Sequence, residues 1–322
     1  MNYHLYFHND FDGIASGAVM LDFLKSRGDN IISFTPITYS PSLKKKWANF
    51  KFKKPFIILD FLYHPKASWW FDHHSTSFLT NEWRNGFKND KNRAFDSAKK
   101  SACDLMTGHL KKEFNYKPSK FIANLVKWAT IIDSALYKSA KEAIESKQPA
   151  IKLAKATNPI NFENSTEAKY FETIIKSLAG GPITKTIQIP IVKKEIKRIE
   201  EDDKEAKKVF KKISNITGRV LFIDGTKTKA QLSNYLGYYF YPQIDYAIAL
   251  EFYGGYYHLN VGKNLWKKTP VRVGRPTGVH IGEMLKKYGG GGHKTVGGME
   301  RKSKSEILKI VGEIIEYLNK HG

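Results

Sequence analysis

The sequence predicts an α/β protein with two domains: an N-terminal domain with a doubly wound, mainly parallel sheet, and a smaller α/β domain joined to it by a long helix. Three observations support this fold class. Short apolar β-rich runs alternate with helical segments in the first third, a long amphipathic stretch follows near the middle, and β/α alternation resumes at Gly218. A chain of 322 residues is long enough for two domains, which we place at 1–185 and 216–322 with a linker helix at 186–215.

The N-terminal elements follow from residue type and spacing. Small and apolar residues at helical spacing predict a helix over 13–26, and β-rich runs predict strands over 3–7, 31–37, 55–59 and 69–71. Short buried strands separated by helices imply a parallel sheet that is covered on both faces. Ligands of such sheets bind at the carboxyl ends of the strands.

The rest of the chain is helical first and mixed later. Residues 95–178 have a mainly helical pattern that ends at the breaker 179–182. Apolar residues then recur at helical spacing from Val192 to Ile213 between dense charges, which predicts the linker helix; a surface helix of a single domain is the alternative. Beyond it we predict a strand at 219–223, a hairpin at 246–261, and helices at 229–241, 279–288 and 304–319.

The charge of the chain predicts a polyanionic partner. Lys and Arg number 53 against 31 Asp and Glu, which gives a net charge of +22 with an excess in both halves. Such a field attracts polyanions, and nucleic acid is the first candidate. A lysine-rich surface that reflects the composition or habitat of the host is the alternative.

Cysteine content and hydropathy bear on the compartment. The single Cys103 rules out an internal disulfide and is typical of a reducing environment. The first residues lack the basic start and apolar run of a secretory signal. The most apolar helical stretch, 121–137, is interrupted by Lys127 and Asp133, so we expect a cytoplasmic protein that does not span a membrane.

The segment HNDFDG at 8–13 follows the first predicted strand. Alternate residues of an extended segment point the same way, so His8, Asp10 and Asp12 can converge. Gly13 would permit a tight turn into the next helix. In the alternative interpretation, Asp12 only caps that helix.

Further carboxylates and imidazoles fall at similar places. Asp60 ends a buried strand, and Asp72, His73 and His74 follow an aromatic one. Asp133 interrupts an apolar helical run, where an unpaired carboxylate is costly; a salt bridge is the other explanation. Carboxylates and imidazoles without thiols suit Mn²⁺, with Mg²⁺ as the second choice. Two such ions are a standard device for phosphoryl displacement.

A glycine-rich segment in the C-terminal half predicts a phosphate or terminus clamp. Glycines let backbone amides approach a phosphate closely, and neighbouring basic side chains add donors. A linker is the alternative explanation of a glycine run. The candidates are Gly290, Gly291, Gly292, His293 and Lys294, with Arg275 as a weaker one.

These motifs together resemble the DHH phosphoesterases. HNDFDG, FIILD, FDHHS and the helical Asp133 are similar to their four catalytic motifs, and GGGGHKTVGG resembles the signature of their C-terminal DHH-associated domain. The resemblance covers nearly the whole chain and is closest in layout to the oligoribonuclease (nanoRNase), phosphoadenosine phosphatase and RecJ-like members. The chain departs from the family at Val296-Gly297, where an Ala-Ala pair is usual. The resemblance implies that the two domains face each other across a cleft.

The resemblance also implies a role for each site residue. Asp72 would orient His73, His74 would face the scissile phosphate, and His293 would grip the far end of the substrate. One Mn²⁺ ion would be held by His8, Asp10 and Asp60, and the other by Asp12, Asp60, His73 and Asp133.

The leading functional hypothesis is a Mn²⁺-dependent exonuclease that degrades short or single-stranded RNA or DNA to mononucleotides. A phosphoesterase for cyclic dinucleotides or 3′-phosphoadenosine phosphate would share the same site chemistry. A non-catalytic nucleic-acid-binding scaffold is the third hypothesis, and a homodimer is left open.

Overall fold

Two units make up the chain in a computed structural model, which describes residues 1–39, 41–157, 164–230, 232–267 and 278–322. Unit 1 contains residues 1–137 and 147–199, and unit 2 contains residues 138–146 and 200–322. No helix in these described stretches is long and apolar enough to cross a membrane. The domain boundaries chosen from the sequence stay predictions.

Unit 1 alternates strands and helices through its first hundred residues, as its sequence pattern predicts. Its elements up to residue 137 are β1 (Asn2–His8), α1 (Phe11–Ser26), β2 (Asn30–Ile37), α2 (Pro41–Lys46), a 3-10 helix (Trp47–Asn49), β3 (Phe56–Leu59), β4 (Trp69–Asp72), α3 (Asn81–Gly86), β5 (Arg93–Phe95), α4 (Ala102–Phe114) and α5 (Lys120–Asp133). Helix α6 (Ala140–Glu145) belongs to unit 2. Unit 1 then continues with α7 (Pro149–Lys155), α8 (Asn164–Gly180), α9 (Ile183–Thr186) and the first half of α10 (Pro190–Phe210).

The sheet of unit 1 has the strand order β2-β1-β3-β4-β5, and every adjacent pair is parallel. Its central strands are buried on both faces, because alternate residues enter two different cores. Ile57 and Leu59 pack in one core with residues of α1, α4, α5 and α8, whereas Ile58 packs in an aromatic core with Trp47 and Trp70. The predicted parallel sheet is therefore confirmed, and its carboxyl edge collects the residues that follow β1, β3 and β4.

Unit 2 contains a six-stranded mixed sheet. Its remaining elements are β6 (Ser214–Thr217), β7 (Val220–Asp224), α11 (Leu236–Phe240), β8 (Tyr246–Tyr253), β9 (Tyr256–Lys263), α12 (Ile281–Lys286), β10 (Gly291–Gly292), β11 (Val296–Arg301) and α13 (Lys304–His321). The strand order is β10-β11-β9-β8-β7-β6, and only β7 and β8 are parallel. The predicted hairpin, β8 and β9, forms the centre, and its apolar face packs with residues of α12 and α13.

Two predictions of local structure are wrong in part. The helix predicted over 229–241 is reduced to α11, because side chains upstream bond the backbone as turns do: Thr228 accepts from the amide of Ala230, and Ser233 from that of Tyr235. The helix predicted over 186–215 is shorter, because α10 begins at Pro190 and ends at Phe210 and strand β6 begins at Ser214; its role as a linker stays a prediction.

Candidate metal centre

The end of β1 and the start of α1 bring the first group of ligands together. Asp10 is the N-cap of α1 and accepts a hydrogen bond of 2.9 Å from the amide of Gly13, so Asp10 rather than Asp12 caps this helix. The Nδ1 atom of His8 lies 3.0 Å from Asp10 Oδ2 and 3.4 Å from Asp60 Oδ2. His8, Asp10 and Asp60 therefore form a triad with its ligand atoms within 4.8 Å of one another.

Gly13 has a different role from the turn that its position suggested. It lies in the first turn of α1, where an added Cβ atom would be 2.1 Å from the carbonyl oxygen of His8 and 2.9 Å from the carbonyl carbon. Its missing side chain thus lets the helix begin directly against the end of β1. This close approach sets the positions of Asp10 and Asp12.

Asp12 is anchored by the N-terminus of α4. Its Oδ2 accepts from the amide of Ala102 at 2.6 Å and its Oδ1 from that of Cys103 at 3.1 Å, where amides and helix dipole favour negative charge. Burial and the charge of Asp10 nevertheless raise the pKa of Asp12 to about 7. The position of this carboxylate is therefore fixed, and a nearby cation would favour its charged form.

Asp60 lies at the centre of the cluster. It follows β3 with a left-handed backbone (φ 55°), and its amide donates to the carbonyl of Phe71 at 2.9 Å. Its side chain is fully buried, and neither carboxylate oxygen has a hydrogen-bond partner in the described parts of the chain. Burial, together with the charges of Asp10, Asp12 and others, raises the pKa of Asp60 well above its usual value.

His73 is oriented by the main chain of another segment. Its Nδ1 lies 3.1 Å from the carbonyl oxygen of Lys99, which can only accept, so Nδ1 carries the proton. Nε2 then faces the carboxylates, 3.3 Å from Asp133 Oδ2 and 3.9 Å from oxygens of Asp12 and Asp60. Asp12, His73 and Asp133 form a second triad within 4.8 Å.

Asp72 bonds to the ring of His74 and to the main chain of His73, and its expected role in orienting the ring of His73 stays a prediction. Its Oδ1 lies 2.8 Å from Nδ1 of His74 and accepts from the amide of His73 at 2.7 Å. Its Oδ2 accepts from the hydroxyl of Ser77. Burial lowers the pKa of His74, but Asp72 and neighbouring carboxylates outweigh burial and raise it to about 9. A bound cation would lower that value.

Ser77 supports this arrangement and yields a testable prediction. It is fully buried, so Ser77→Ala leaves Asp72 Oδ2 without its hydroxyl donor and should lower the free energy of unfolding by about 1–3 kcal/mol. Urea denaturation would measure the change. The exposed Ser75 provides the matched control, and Ser75→Ala should alter stability by less than about 0.5 kcal/mol. Equal stabilities of the two variants would contradict the role given to Ser77.

The donor set fits two divalent cations. All six predicted ligands converge in overlapping groups, and a third group combines Asp60, His73 and His74. Buried carboxylates at these separations repel one another, and burial raises the pKa of Asp133 as well as those of Asp12 and Asp60. Oxygen and imidazole donors without thiolate suit Mn²⁺ or Mg²⁺. Neither oxygen of Asp60 has a hydrogen-bond donor among the described residues, and bound cations would take the place of these missing donors.

Comparison with solved structures identifies the fold of the chain. The chain superposes on the pGpG-specific phosphodiesterase PggH of Vibrio cholerae with a TM-score of 0.69 at 19% identity, covering 99% of this chain and 100% of that one. The chain has the fold of the DHH phosphoesterases. Manganese-bound RecJ of Thermus thermophilus gives a TM-score of 0.61 at 10% identity, where this chain is covered fully and spans 52% of RecJ.

Another structure of the same DHH fold is an exopolyphosphatase-related protein of Bacteroides fragilis, with a TM-score of 0.52 at 13% identity over 99% of this chain and 92% of that one. No family model matches the sequence, and no curated protein matches it.

Several main-chain amides of the glycine-rich segment form hydrogen bonds within the protein. Gly291 and Gly292 form β10, paired with β11. The amides of Gly289, Gly290 and His293 donate to the carbonyl oxygens of Lys286, Leu285 and Val296, respectively. Those three amides are therefore not available as a phosphate cradle. The side chains of His293 and Lys294 are exposed, and their role with the glycines stays a prediction. Arg275 lies outside the described residues.

Sequence reasoning missed three contributors to the centre. Lys99 acts through its carbonyl and Ser77 through its hydroxyl, so neither residue type carried a signal. Tyr39 follows β2 at the same carboxyl edge as His8, and its ring lies 5.1 Å from that of His8 and 6.1 Å from that of His74. Its position after a parallel strand was the signal that could have found it.

Proposed function

We propose that the chain is a two-metal phosphodiesterase that hydrolyses short, linear RNA or DNA oligonucleotides to mononucleotides. The observation that carries the proposal is the arrangement of two ligand triads around the buried Asp60. Such paired sites serve in-line displacement at phosphorus. His8, Asp10 and Asp60 would hold one ion, and Asp12, His73 and Asp133 the other with Asp60 between them.

The protein side chains would position the reactants. When bound, the ions would supply charge neutralisation at the phosphate and lower the pKa of an attacking water. His74 has Nδ1 held by Asp72, so its Nε2 is the atom that would donate a proton to the leaving oxygen. Asp72 acts through this hydrogen bond, as a positioning residue. The imidazole ligands favour Mn²⁺ over Mg²⁺.

One observation supports a short substrate, and another supports a nucleic acid over a small molecule. The chain matches the full length of a phosphodiesterase specific for pGpG, but only about half of the Thermus RecJ chain. The net charge of +22 favours a nucleic-acid substrate over a small molecule, because two phosphates do not require it. The likeness to the pGpG enzyme also supports the second candidate, a phosphoesterase for small nucleotides such as cyclic dinucleotides or 3′-phosphoadenosine phosphate. The single cysteine supports a cytoplasmic location.

Hydrolysis of end-labelled oligomers would test the proposal. RNA and DNA of two to about thirty nucleotides are incubated with Mn²⁺, with Mg²⁺ or with a chelator. This range of lengths separates a preference for short substrates from a preference for longer ones. We expect stepwise mononucleotide release with Mn²⁺ and none with chelator. Asp133→Asn should lose at least about a hundredfold in rate, because it weakens the binding of an ion that contributes several kcal/mol to transition-state stabilisation. Asp104→Asn, at a surface ion pair with Lys99, is the control.

The other outcomes identify the alternatives. Turnover of cyclic dinucleotides or 3′-phosphoadenosine phosphate with intact oligomers would favour the second candidate. Tight oligomer binding with no hydrolysis of any substrate would favour the scaffold hypothesis.

A further inference from the structure

A cluster of lysines lies between β2 and β3. We call it the lysine strip; its members are Lys44, Lys45, Lys46, Lys51, Lys53 and Lys54, and all six are exposed. The sequence contains no Asp or Glu from residue 30 to residue 59. The strip is therefore a local concentration of positive charge within a chain that mixes its charges elsewhere.

The lysine strip is not neutralised by the protein. None of its six ammonium groups forms an ion pair with an acidic side chain in the parts of the chain that the structure describes. Other lysines of unit 1 do so, such as Lys99 with Asp104 at 3.1 Å and Lys176 with Glu172 at 2.5 Å. Six like charges without internal partners repel one another and favour an external anion.

An ordered aromatic scaffold holds the strip in place. Phe50 and Phe52 alternate with Lys51 and Lys53, so in this extended segment the rings turn inward and the ammonium groups outward. Both rings pack edge-on against Tyr6, with centroids 6.0 and 5.0 Å away. The lysines thus project from a packed surface and not from a loose tail.

The same scaffold reaches the metal centre. Trp47, directly after Lys46, is fully buried, and its ring lies 5.1 Å from that of Phe61, the residue after Asp60. Phe61 in turn stacks on Tyr39 at 4.2 Å. Tyr39 is 38% exposed and contacts the rings of His8 and His74. An exposed aromatic ring therefore adjoins the candidate metal ligands and is connected through Phe61 to Trp47, the residue that follows Lys46.

We propose that the lysine strip binds the phosphodiester backbone of a single-stranded nucleic acid, and that a base stacks on Tyr39 where the strand meets the metal centre. This proposal takes its substrate class from the proposed function. It adds a surface that binds nucleotides beyond the scissile bond. Stacking on an aromatic ring and unpaired lysines along the backbone are the two usual components of single-strand binding.

An anionic membrane is the other partner that such a charge could attract. Peripheral helices that bind membranes also insert exposed apolar side chains. Leu43, Trp47, Phe50 and Phe52 are instead buried or half-buried in the aromatic core. The strip therefore offers charge without apolar residues for insertion, which favours the nucleic acid.

Binding of a labelled oligonucleotide under chelating conditions would test the surface without any hydrolysis. The variant Lys44→Gln/Lys45→Gln/Lys46→Gln is compared with the control Lys111→Gln/Lys117→Gln/Lys309→Gln, which removes the same charge at exposed lysines elsewhere. For a single strand of about 24 nucleotides, the slope of log K against log salt changes by about 0.7 for each phosphate contact. We expect the magnitude of this slope to be smaller by up to about 2 in the strip variant, and the control to keep the wild-type slope.

Three outcomes would overturn the proposal. The strip variant and the wild type could have equal slopes, or the strip and control variants could lose equally. In a parallel measurement with anionic vesicles, the strip variant could lose vesicle binding while it keeps oligonucleotide binding. Tyr39→Ala should weaken oligonucleotide binding roughly tenfold while Tyr39→Phe retains it, because a ring is enough for stacking. Hydrolysis of a dinucleotide with Mn²⁺, measured on the wild type, reports the proposed function separately. If the chain hydrolyses dinucleotides but the slopes of the strip variant and the wild type are equal, the proposed function stands and the proposed binding surface is wrong.

Discussion

Asp60→Asn should abolish metal-dependent hydrolysis and leave the metal-free protein at least as stable as the wild type. We expect kcat/KM to fall by about a thousandfold or more, because Asp60 lies within 3.9 Å of ligand atoms from both triads and its loss weakens both ions. A thousandfold change corresponds to about 4 kcal/mol of transition-state stabilisation, within what bound metal ions contribute.

The stability of the metal-free variant follows from the surroundings of Asp60. Its carboxylate is fully buried and accepts no hydrogen bond from the described residues. It lies among the carboxylates of Asp10, Asp12 and Asp133, and the Nδ1 atoms of His8 and His74 are 3.4 and 3.5 Å from its oxygens. Asparagine has nearly the same volume, carries no charge, and brings an amide group that can donate to those carboxylates. The substitution thus removes the repulsion among the carboxylates, and the amide oxygen of asparagine can still accept a hydrogen bond from the imidazole of His8 or His74, so we expect no net loss of stability.

Thermal unfolding with and without Mn²⁺ separates the two effects. An ion at a hundred times its Kd stabilises a protein by about 2.7 kcal/mol, and Asp60→Asn should lose most of this increment. Asp90→Asn, which weakens a surface ion pair with Arg93 and keeps a side-chain oxygen for the amide of Asn92, is the control and should keep both activity and the metal-induced increment. A clear loss of stability in Asp60→Asn under chelating conditions would show that Asp60 stabilises the fold and does not serve to bind metal.

The contrast between predicted and unpredicted features has a physical basis. The convergence of His8, Asp60 and His73 could be predicted, because parallel strands bring their carboxyl ends to one edge and each residue ends or follows such a strand. The meeting of these three residues at one edge is a consequence of the sheet topology, which the alternation of apolar runs predicts.

The orientation of the ligands could not be predicted in the same way. His73 is held by the carbonyl of Lys99, 26 residues away, and Asp12 by amides of α4, about 90 residues away. Main-chain donors and acceptors are present at every residue, so no residue type marks the ones that are used. The hydrogen bond between Asp72 and the ring of His74 was likewise not part of the sequence-based expectation, which assigned Asp72 to His73.

Gly13→Ala should disrupt the metal centre through the backbone alone. Its new Cβ would lie 2.1 Å from the carbonyl oxygen of His8, and main-chain atoms cannot yield as the end of a flexible side chain can. Helix α1 would have to move away from β1, which displaces Asp10 and Asp12 together. We expect the free energy of unfolding to fall by about 3 kcal/mol or more, and Mn²⁺ stabilisation to disappear.

Gly108→Ala is the matched control for this prediction. Gly108 lies in the interior of α4 on its exposed face, and a Cβ added there meets no atom within 4 Å. Because alanine is the better helix former, the same substitution should stabilise the protein by about 1 kcal/mol. Urea denaturation in chelator compares the two, and Mn²⁺ titration reports the site. If both variants gained stability, the close contact between α1 and β1 would not constrain residue 13, and Asp10 and Asp12 would owe their positions to other contacts.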